Sequence, residues 1–326
     1  MRSAERRVRR APASPTLKTL LRDAARRFET ARLSYGHGTT NARDEAAWLI
    51  LHALALPLDA LEPHLERPID GPEQRRIETL IAKRIHTRKP AAYLLREAWL
   101  GAHRFYVDER ALVPRSYLAE LLRDGLKPWL RRRQPLRHTL DLGTGSGCIA
   151  ILLALKFRRA QVDAADISAD ALDVARINVS DYRLASRIEL IESDLYQALE
   201  GRRYDLIVSN PPYVRTAVMQ TLPREYRREP RLALAGGRDG LTFVKRILAA
   251  APAHLNPGGL LVVEVGHNRV RVERAFPTLP LIWPETSGGA DCVFLITREV
   301  LLEWEPARAP RRASRAAASP RLRAAK

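Results

Sequence analysis

Apolar residues recur along this chain in two different rhythms. From Thr16 to about Arg88 they return every three or four positions. Leu17, Leu20, Leu21, Ala24 and Phe28 share one helical face, and Ile77, Leu80, Ile81 and Ile85 share another. Asn41 is placed to cap a helix running through Glu45 and Trp48 to Leu56, where Pro57 stops it. Gly71-Pro72 opens the next helix. The spacing predicts a small all-α unit over residues 15–92, and this unit is expected to be the substrate-recognition domain. Residues 93–108 change character and read as two extended segments around Gly101, a hairpin. A helix from about Ser116 to Arg133 follows, so that 93–135 form a hairpin and a linker helix.

From Arg137 onward short apolar strands alternate with amphipathic helices. Strands are expected at 138–143, 161–166, 187–193, 204–210, 260–266, 279–284 and 292–297. Helices are expected over 148–157, Ala169 to Asp181 and Leu241 to His254. Such alternation predicts an α/β domain over 136–303, a Rossmann-like, doubly wound and mostly parallel sheet of seven strands. The last two strands are close in sequence and are expected to pair antiparallel. In such sheets ligands bind beyond the carboxyl ends of the strands, near the point where strand order reverses.

Composition narrows the picture. The chain has 326 residues, 46% hydrophobic and 28% charged, the balance of a folded protein of about two domains. Twenty-two Pro and 17 Gly are too few for collagen or a low-complexity chain. The longest mainly apolar run, Ala46 to Leu58, is broken by His52 and Pro57 and falls short of the ~18 residues of a membrane helix. The first residues lack the apolar core of a secretory signal, so no membrane association and a cytoplasmic location are expected. Two cysteines, Cys148 and Cys292, cannot build a disulfide framework or a zinc site, and no metal is expected. Of the net charge of +18, residues 1–10 carry +4 and residues 307–326 carry +7. Basic tails at 1–14 and 304–326, read as disordered, add long-range attraction for RNA but no chemistry.

The polar residues after each strand carry the candidate chemistry. The first strand ends in Asp141-Leu-Gly143-Thr144-Gly145-Ser-Gly147, a tight turn that lets a ligand touch bare backbone. It matches neither the dinucleotide fingerprint nor a phosphate-binding loop. Asp166, ending the second strand, is placed to accept bonds from a ribose, since Ser168 already offers a helix cap. Ser193-Asp194 ends the third strand, near an adenine edge or as a simple turn cap. Acidic strand ends suit a nucleoside without phosphates. S-adenosyl-L-methionine fits, with Asp141 helping to hold its amino-acid end, and NAD is the alternative.

The fourth strand ends in Asn210-Pro211-Pro212-Tyr213. Two prolines stiffen this turn and remove two N–H donors. The carbonyls of Asn210 and Pro211 and the side chain of Asn210 can then grip the two hydrogens of a planar amino group, with Tyr213 as a flat face. Gripping orients the nitrogen lone pair toward a methyl donor, and positioning supplies most of the acceleration. Adenine, cytosine, guanine and glutamine side chains all present such a group, so the turn alone leaves the substrate open.

The glycine loop, the acid after strand two and the Asn-Pro-Pro-Tyr turn resemble class I methyltransferases acting on planar amino groups, and more narrowly the protein-(glutamine-N5) methyltransferases. The resemblance spans residues 16–300. Four segments resemble the branch that modifies large-subunit ribosomal protein L-three: Tyr35 to Gly38 with Asn41, Phe105 to Glu109, Leu112 to Ser116, and Glu225 to Pro230. It implies S-adenosylmethionine as cofactor and a ribosomal protein as partner, free or in assembling ribosomes. It implies that Gly143, Gly145 and Gly147 line the cofactor loop, Asp166 binds ribose and Asp194 lies near adenine. By the same likeness, Asn210 touches cofactor and amide, Pro211 offers its carbonyl, Tyr213 packs on the amide and residues 225–230 form a substrate-side loop. A release-factor glutamine or a nucleic-acid base remains the alternative substrate. The excess charge sits in the tails rather than in a basic cleft, which counts against the base. Cys292 stands where this family more often has Gly, and the Arg/Ala tail has no counterpart in it.

Overall fold

The computed structural model describes residues 14–130 and 135–304. The expected tails lie outside the described residues apart from Ser14 and Trp304. The helical unit opens with α1 (Leu17–Thr30), started by the Thr16 hydroxyl accepting from the Thr19 N–H. Asn41 caps α2 (Ala42–Ala53) through the Asp44 N–H, at 2.9 Å. This helix ends before Leu56, because Ala55 turns the chain at φ 52°. A short 3-10 turn then leads into α3 (Leu61–His64). Asp70 and Glu73 bond each other's backbone N–H at the start of α4 (Gly71–Thr87), so two end donors are satisfied at once.

Part of the expected first extended segment is a helix, α5 (Ala91–Leu95), with Ala91, Ala92, Tyr93 and Leu95 all buried. A short apolar run buried on all sides has no readable period, which is why it passes for a strand. The hairpin is correspondingly small: β1 (Ala98–Leu100) pairs antiparallel with β2 (His103–Phe105) around Gly101. The linker helix α6 (Leu118–Arg123) is also shorter than expected, since Gly125 and Leu126 take left-handed conformations. Residues 131–134 of that expectation lie outside the described residues. Val107 and Val113 of the linker pack into the same core as Phe28, Leu49, Ile50 and Ile81. The linker is thus stitched to the helical unit.

The second unit winds β3 (His138–Leu142), α7 (Cys148–Lys156), β4 (Gln161–Asp166), α8 (Ala169–Asp181), β5 (Ile188–Glu192) and β6 (Tyr204–Ser209). After β6 a long loop carries α9 (Thr216–Met219) and α10 (Arg231–Leu234). Then follow α11 (Thr242–His254), β7 (Leu255–Glu264), α12 (Arg269–Ala275), β8 (Val293–Thr297) and α13 (Arg298–Glu303). The strands lie in the order β5-β4-β3-β6-β7-β8, parallel except for the antiparallel β8. The sheet has six strands among the described residues, not seven. The expected strand at 279–284 contributes one antiparallel bridge, Ile282 to Leu295. Pro280 and Pro284 flank it and have no N–H to extend a ladder.

One apolar layer joins α6 and α7 to one face of the sheet, and another joins α11 to the opposite face. β4 leaves β3 toward one edge and β6 leaves toward the other. The adjacent carboxyl ends of β3 and β6 are therefore the switch point, where Leu142 lies beside Ser209. The Ser209 hydroxyl donates to the Leu142 carbonyl at 2.6 Å and ties the two ends together. No single helix among the described residues is long and apolar enough to cross a membrane.

Candidate active site

A cleft opens over this switch point and is lined by the glycine loop, Asp166, Asp194 and Asn210 to Pro212. Gly143, Gly145 and Gly147 all have positive φ, at 77°, 55° and 78°. A Cβ added at Gly143 or Gly145 would meet no atom within 4 Å, whereas one at Gly147 would come within 3.0 Å of the Ala175 Cβ. The first two glycines therefore expose bare backbone to the cleft, and the third lets the loop pack on α8.

Asp141 lies beneath the loop. It accepts from the Thr144 hydroxyl at 2.6 Å and the Ala150 N–H at 3.0 Å, both on one oxygen. It also lines the cleft, and burial pushes its pKa up to about 7. Asp166 is less idle than expected. Ser168 does cap α8, yet Asp166 also accepts from the Ser168 N–H at 2.9 Å and the Gly145 N–H at 2.8 Å. Burial raises its pKa. A carboxylate has about four acceptor sites, so each oxygen keeps room for a ribose hydroxyl. Asp194 is held at 2.9 Å by Arg246 on α11, a partner that sequence spacing did not suggest. Ser193 closes the local turn, donating to the Leu195 carbonyl at 2.7 Å. Ile167 and Leu232 line the cleft with 49% and 51% of their surface exposed, apolar walls suited to a flat ring.

The Asn210 to Tyr213 turn is gripped by glycines that the motif search passed over. A Cβ at Gly236 would lie 2.6 Å from the Tyr213 Cα and 2.8 Å from the Pro212 carbonyl oxygen. One at Gly240 would lie 2.6 Å from the Tyr213 carbonyl oxygen. One at Gly266, just after β7, would lie 2.8 Å from the Tyr213 ring. The structure thus sets the Tyr213 ring against the Gly266 backbone, and burial raises the pKa of its hydroxyl. The run Gly236-Gly237 with Gly240 was a visible signal for this contact. The Asn210 Nδ2 donates to the Arg115 carbonyl at 3.5 Å.

Residues 225–230 do not form a simple loop facing substrate. Glu225 and Glu229 are 1% and 4% exposed and point into the seam with the helical unit, while Arg227 and Arg228 face outward. Glu225 lies 3.5 Å from Arg84 and 3.1 Å from Arg88, both on or just after α4. Arg84, fully buried, also bonds Glu45 at 2.7 Å. The Tyr226 hydroxyl donates to the Tyr35 carbonyl at 3.1 Å, and its ring lies 4.3 Å from that of His37. A Cβ at Gly36 would sit 2.2 Å from the Tyr226 hydroxyl, so this contact needs glycine.

Glu229 takes a two-pronged bond from Arg115, at 2.6 and 2.7 Å, lies 3.3 Å from His37 and accepts from the Val113 N–H at 3.2 Å. Burial alone would raise its pKa, but His37 and Arg115 outweigh that and hold it at about 2. Glu264, ending β7, accepts from the Ser116 hydroxyl at 2.5 Å and the Tyr117 N–H at 2.9 Å. Burial pushes its pKa up to about 7. The segments 35–38, 112–116 and 225–230, separate in sequence, meet in this one network.

Comparison with known proteins follows the same outline. Residues 126–224 match the family model described as Methyltransferase small domain, and residues 19–95 match the PrmC N-terminal domain. The chain is 53% identical over 290 residues to the ribosomal protein uL3 glutamine methyltransferase of Neisseria meningitidis serogroup B, covering 89% of this chain and 95% of that one. It is 52% identical over 286 residues to the protein of the same name from Bordetella pertussis, covering 88% and 96%. The resemblance carried by the glycine loop, the Asn-Pro-Pro-Tyr turn and the seam segments is therefore one of descent: the chain belongs to the ribosomal protein uL3 glutamine methyltransferase family.

Proposed function

We propose that this protein transfers a methyl group from S-adenosyl-L-methionine to the side-chain amide nitrogen of a glutamine in ribosomal protein uL3. The single observation that carries the chemistry is the Asn210 to Tyr213 turn beside the glycine loop, on the paired strand ends of β6 and β3. The cleft fits the cofactor. Gly143 and Gly145 leave open space where a Cβ would stand, the cleft's acids sit at three strand ends, and its walls are apolar. Bound there, the cofactor supplies an electrophilic methyl carbon on a sulfonium.

Asp166 would hold the ribose hydroxyls, Asp194 the adenine end, and Asp141 with Thr144 the loop around the amino-acid end. Asn210 Oδ1 and the Pro211 carbonyl would accept the two amide hydrogens of glutamine and orient its nitrogen. One N–C bond forms as one S–C bond breaks, and the nitrogen then gives up one proton to water. The amide nitrogen is a weak nucleophile, so the residues contribute mainly by orientation. The protein would meet its substrate in the cytoplasm, free or during ribosome assembly, with the basic tails adding attraction for RNA.

The test offers labelled S-adenosylmethionine with free uL3, assembled large subunits, a release factor and unmethylated DNA in parallel, and locates the methyl by mass spectrometry. Label on a glutamine of uL3 alone is expected. Label on the release factor would keep the mechanism and change the substrate; label on DNA would overturn both.

A further inference from the structure

We propose that Glu229 is a positioning residue for methyl transfer: it clamps the segment 113–115 so that the Arg115 carbonyl selects the orientation of the Asn210 amide that turns Oδ1 toward the substrate. This assignment rests on the proposed methyl transfer to a glutamine amide.

An asparagine amide has nearly the same shape with its oxygen and nitrogen exchanged. Only its hydrogen-bond partners distinguish the two orientations. A substrate NH2 offers hydrogens, so Asn210 must meet it with oxygen. Its own NH2 then needs an acceptor on the other side. The Arg115 carbonyl is an acceptor only and lies 3.5 Å from Nδ2. That contact is long, as catalytic bonds often are before substrate tightens them.

The carbonyl is held from both directions by buried carboxylates. On one side Glu229 takes the Arg115 guanidinium in two bonds and the Val113 N–H in a third. On the other, Glu264 holds the Ser116 hydroxyl and the Tyr117 N–H. The Nε2 of His37, from the helical unit, lies 3.3 Å from Glu229. A residue 114 positions from Arg115 in the chain thereby sets the geometry of an atom that faces substrate. A plain domain staple would bind the guanidinium and leave the orientation of Asn210 indifferent.

A double-mutant cycle decides between these. Asn210→Ala is expected to cut kcat at least ~100-fold, the scale of losing an orienting contact. Glu229→Gln is expected to cut kcat by about 10-fold or more, with KM for uL3 and the cofactor dissociation constant within about threefold. In the Asn210→Ala background Glu229→Gln should cost almost nothing further, because its effect passes through the lost amide. Arg115→Lys keeps a cation but loses the fork, and serves the same cycle if Glu229→Gln does not fold.

Full kcat in a folded Glu229→Gln or Arg115→Lys, or losses that simply multiply with that of Asn210→Ala, would overturn the assignment. So would a change confined to KM. A wild-type protein that leaves uL3 unlabelled would instead overturn the functional reading.

Discussion

Asparagine, proline and glycine do different work within a few ångströms of each other here, and each can be separated by substitution. Gly145 and Gly147 both hold positive φ, so alanine at either costs about 1 kcal/mol of backbone strain. Only Gly147 also meets a neighbour, the Ala175 Cβ, while Gly145 faces the cleft and donates its N–H to Asp166. Gly145→Ala should therefore weaken cofactor binding, by roughly 10-fold or more, with a modest fall in stability. Gly147→Ala should lower the melting temperature further. Titration calorimetry beside thermal unfolding separates the two, and equal effects on binding would contradict the division. At this scale the sequence was informative about the cleft. Asp141 and Asp166 lie at the carboxyl ends of their strands, and Asp194 and Asn210 just beyond theirs, where ligands meet an α/β sheet. Arg115 and Glu229 were not readable as partners. Charged residues 114 positions apart look like independent surface groups until the fold closes them together.

Elements were most readable where their ends carry explicit signals. Asn41 and Ser168 cap the helices they precede, and Gly71-Pro72 opens the helix that the sequence marks there. Boundaries failed where the backbone turned without such a residue, as at Ala55 and Leu126, both left-handed. They failed again where a short apolar run fitted either period, as at Ala91 to Leu95. The chain around the Asn-Pro-Pro-Tyr turn adds a lesson about loops. Residues 234–240 run alongside the turn, with the Val214 N–H on the Leu234 carbonyl at 2.9 Å and the Gly236 N–H on the Val214 carbonyl at 2.8 Å. Gly236 is not in the left-handed region, so Gly236→Ala tests contact without backbone strain. Its methyl would press on main-chain atoms of Pro212 and Tyr213, which have no rotamer to escape by. Turnover should fall about 10-fold or more while cofactor affinity changes little, as expected when reacting groups are misplaced by a fraction of an ångström. Single-turnover rates with saturating cofactor would check it; an unchanged rate would mean that the turn can yield.

For the molecule as a whole, the buried carboxylates give stability opposing responses to pH. Asp141 and Glu264 have folded values near 7, raised above those of the unfolded chain by burial. The folded state then binds more protons than the unfolded one between about pH 4 and 7, so stability from these groups is full below that window and is lost as pH rises through it. Glu229 runs the other way. Its folded value near 2 means that its contribution is present above the unfolded value and is lost as pH falls toward 2. In cofactor-free protein, Asp141→Asn should flatten the decline in unfolding free energy between pH 5 and 7, by on the order of 1–2 kcal/mol. Denaturant titrations at the two pH values measure it, and parallel slopes in wild type and variant would contradict it.

The seam between the units has a bearing on whether target recognition can be transplanted. The helical unit supplies Arg84, Arg88 and His37, and the catalytic unit supplies Glu225 and Glu229 to meet them. A chimera that grafts a foreign helical half onto this catalytic half would bring its own substrate surface but not these three side chains. Glu225, built to be neutralised, would then face the graft without its arginines, a cost of several kcal/mol if it stays buried, while Glu229 would keep Arg115 and lose only its contact with His37. Pro230, one residue beyond Glu229, forms part of the cleft wall, so a poor graft would also loosen the site it was meant to redirect. Restoring the two arginines and the histidine to the graft should recover methyl transfer before any change to its outer surface does. Exchange of specificity in this architecture is then a matter of inheriting the joint along with the module.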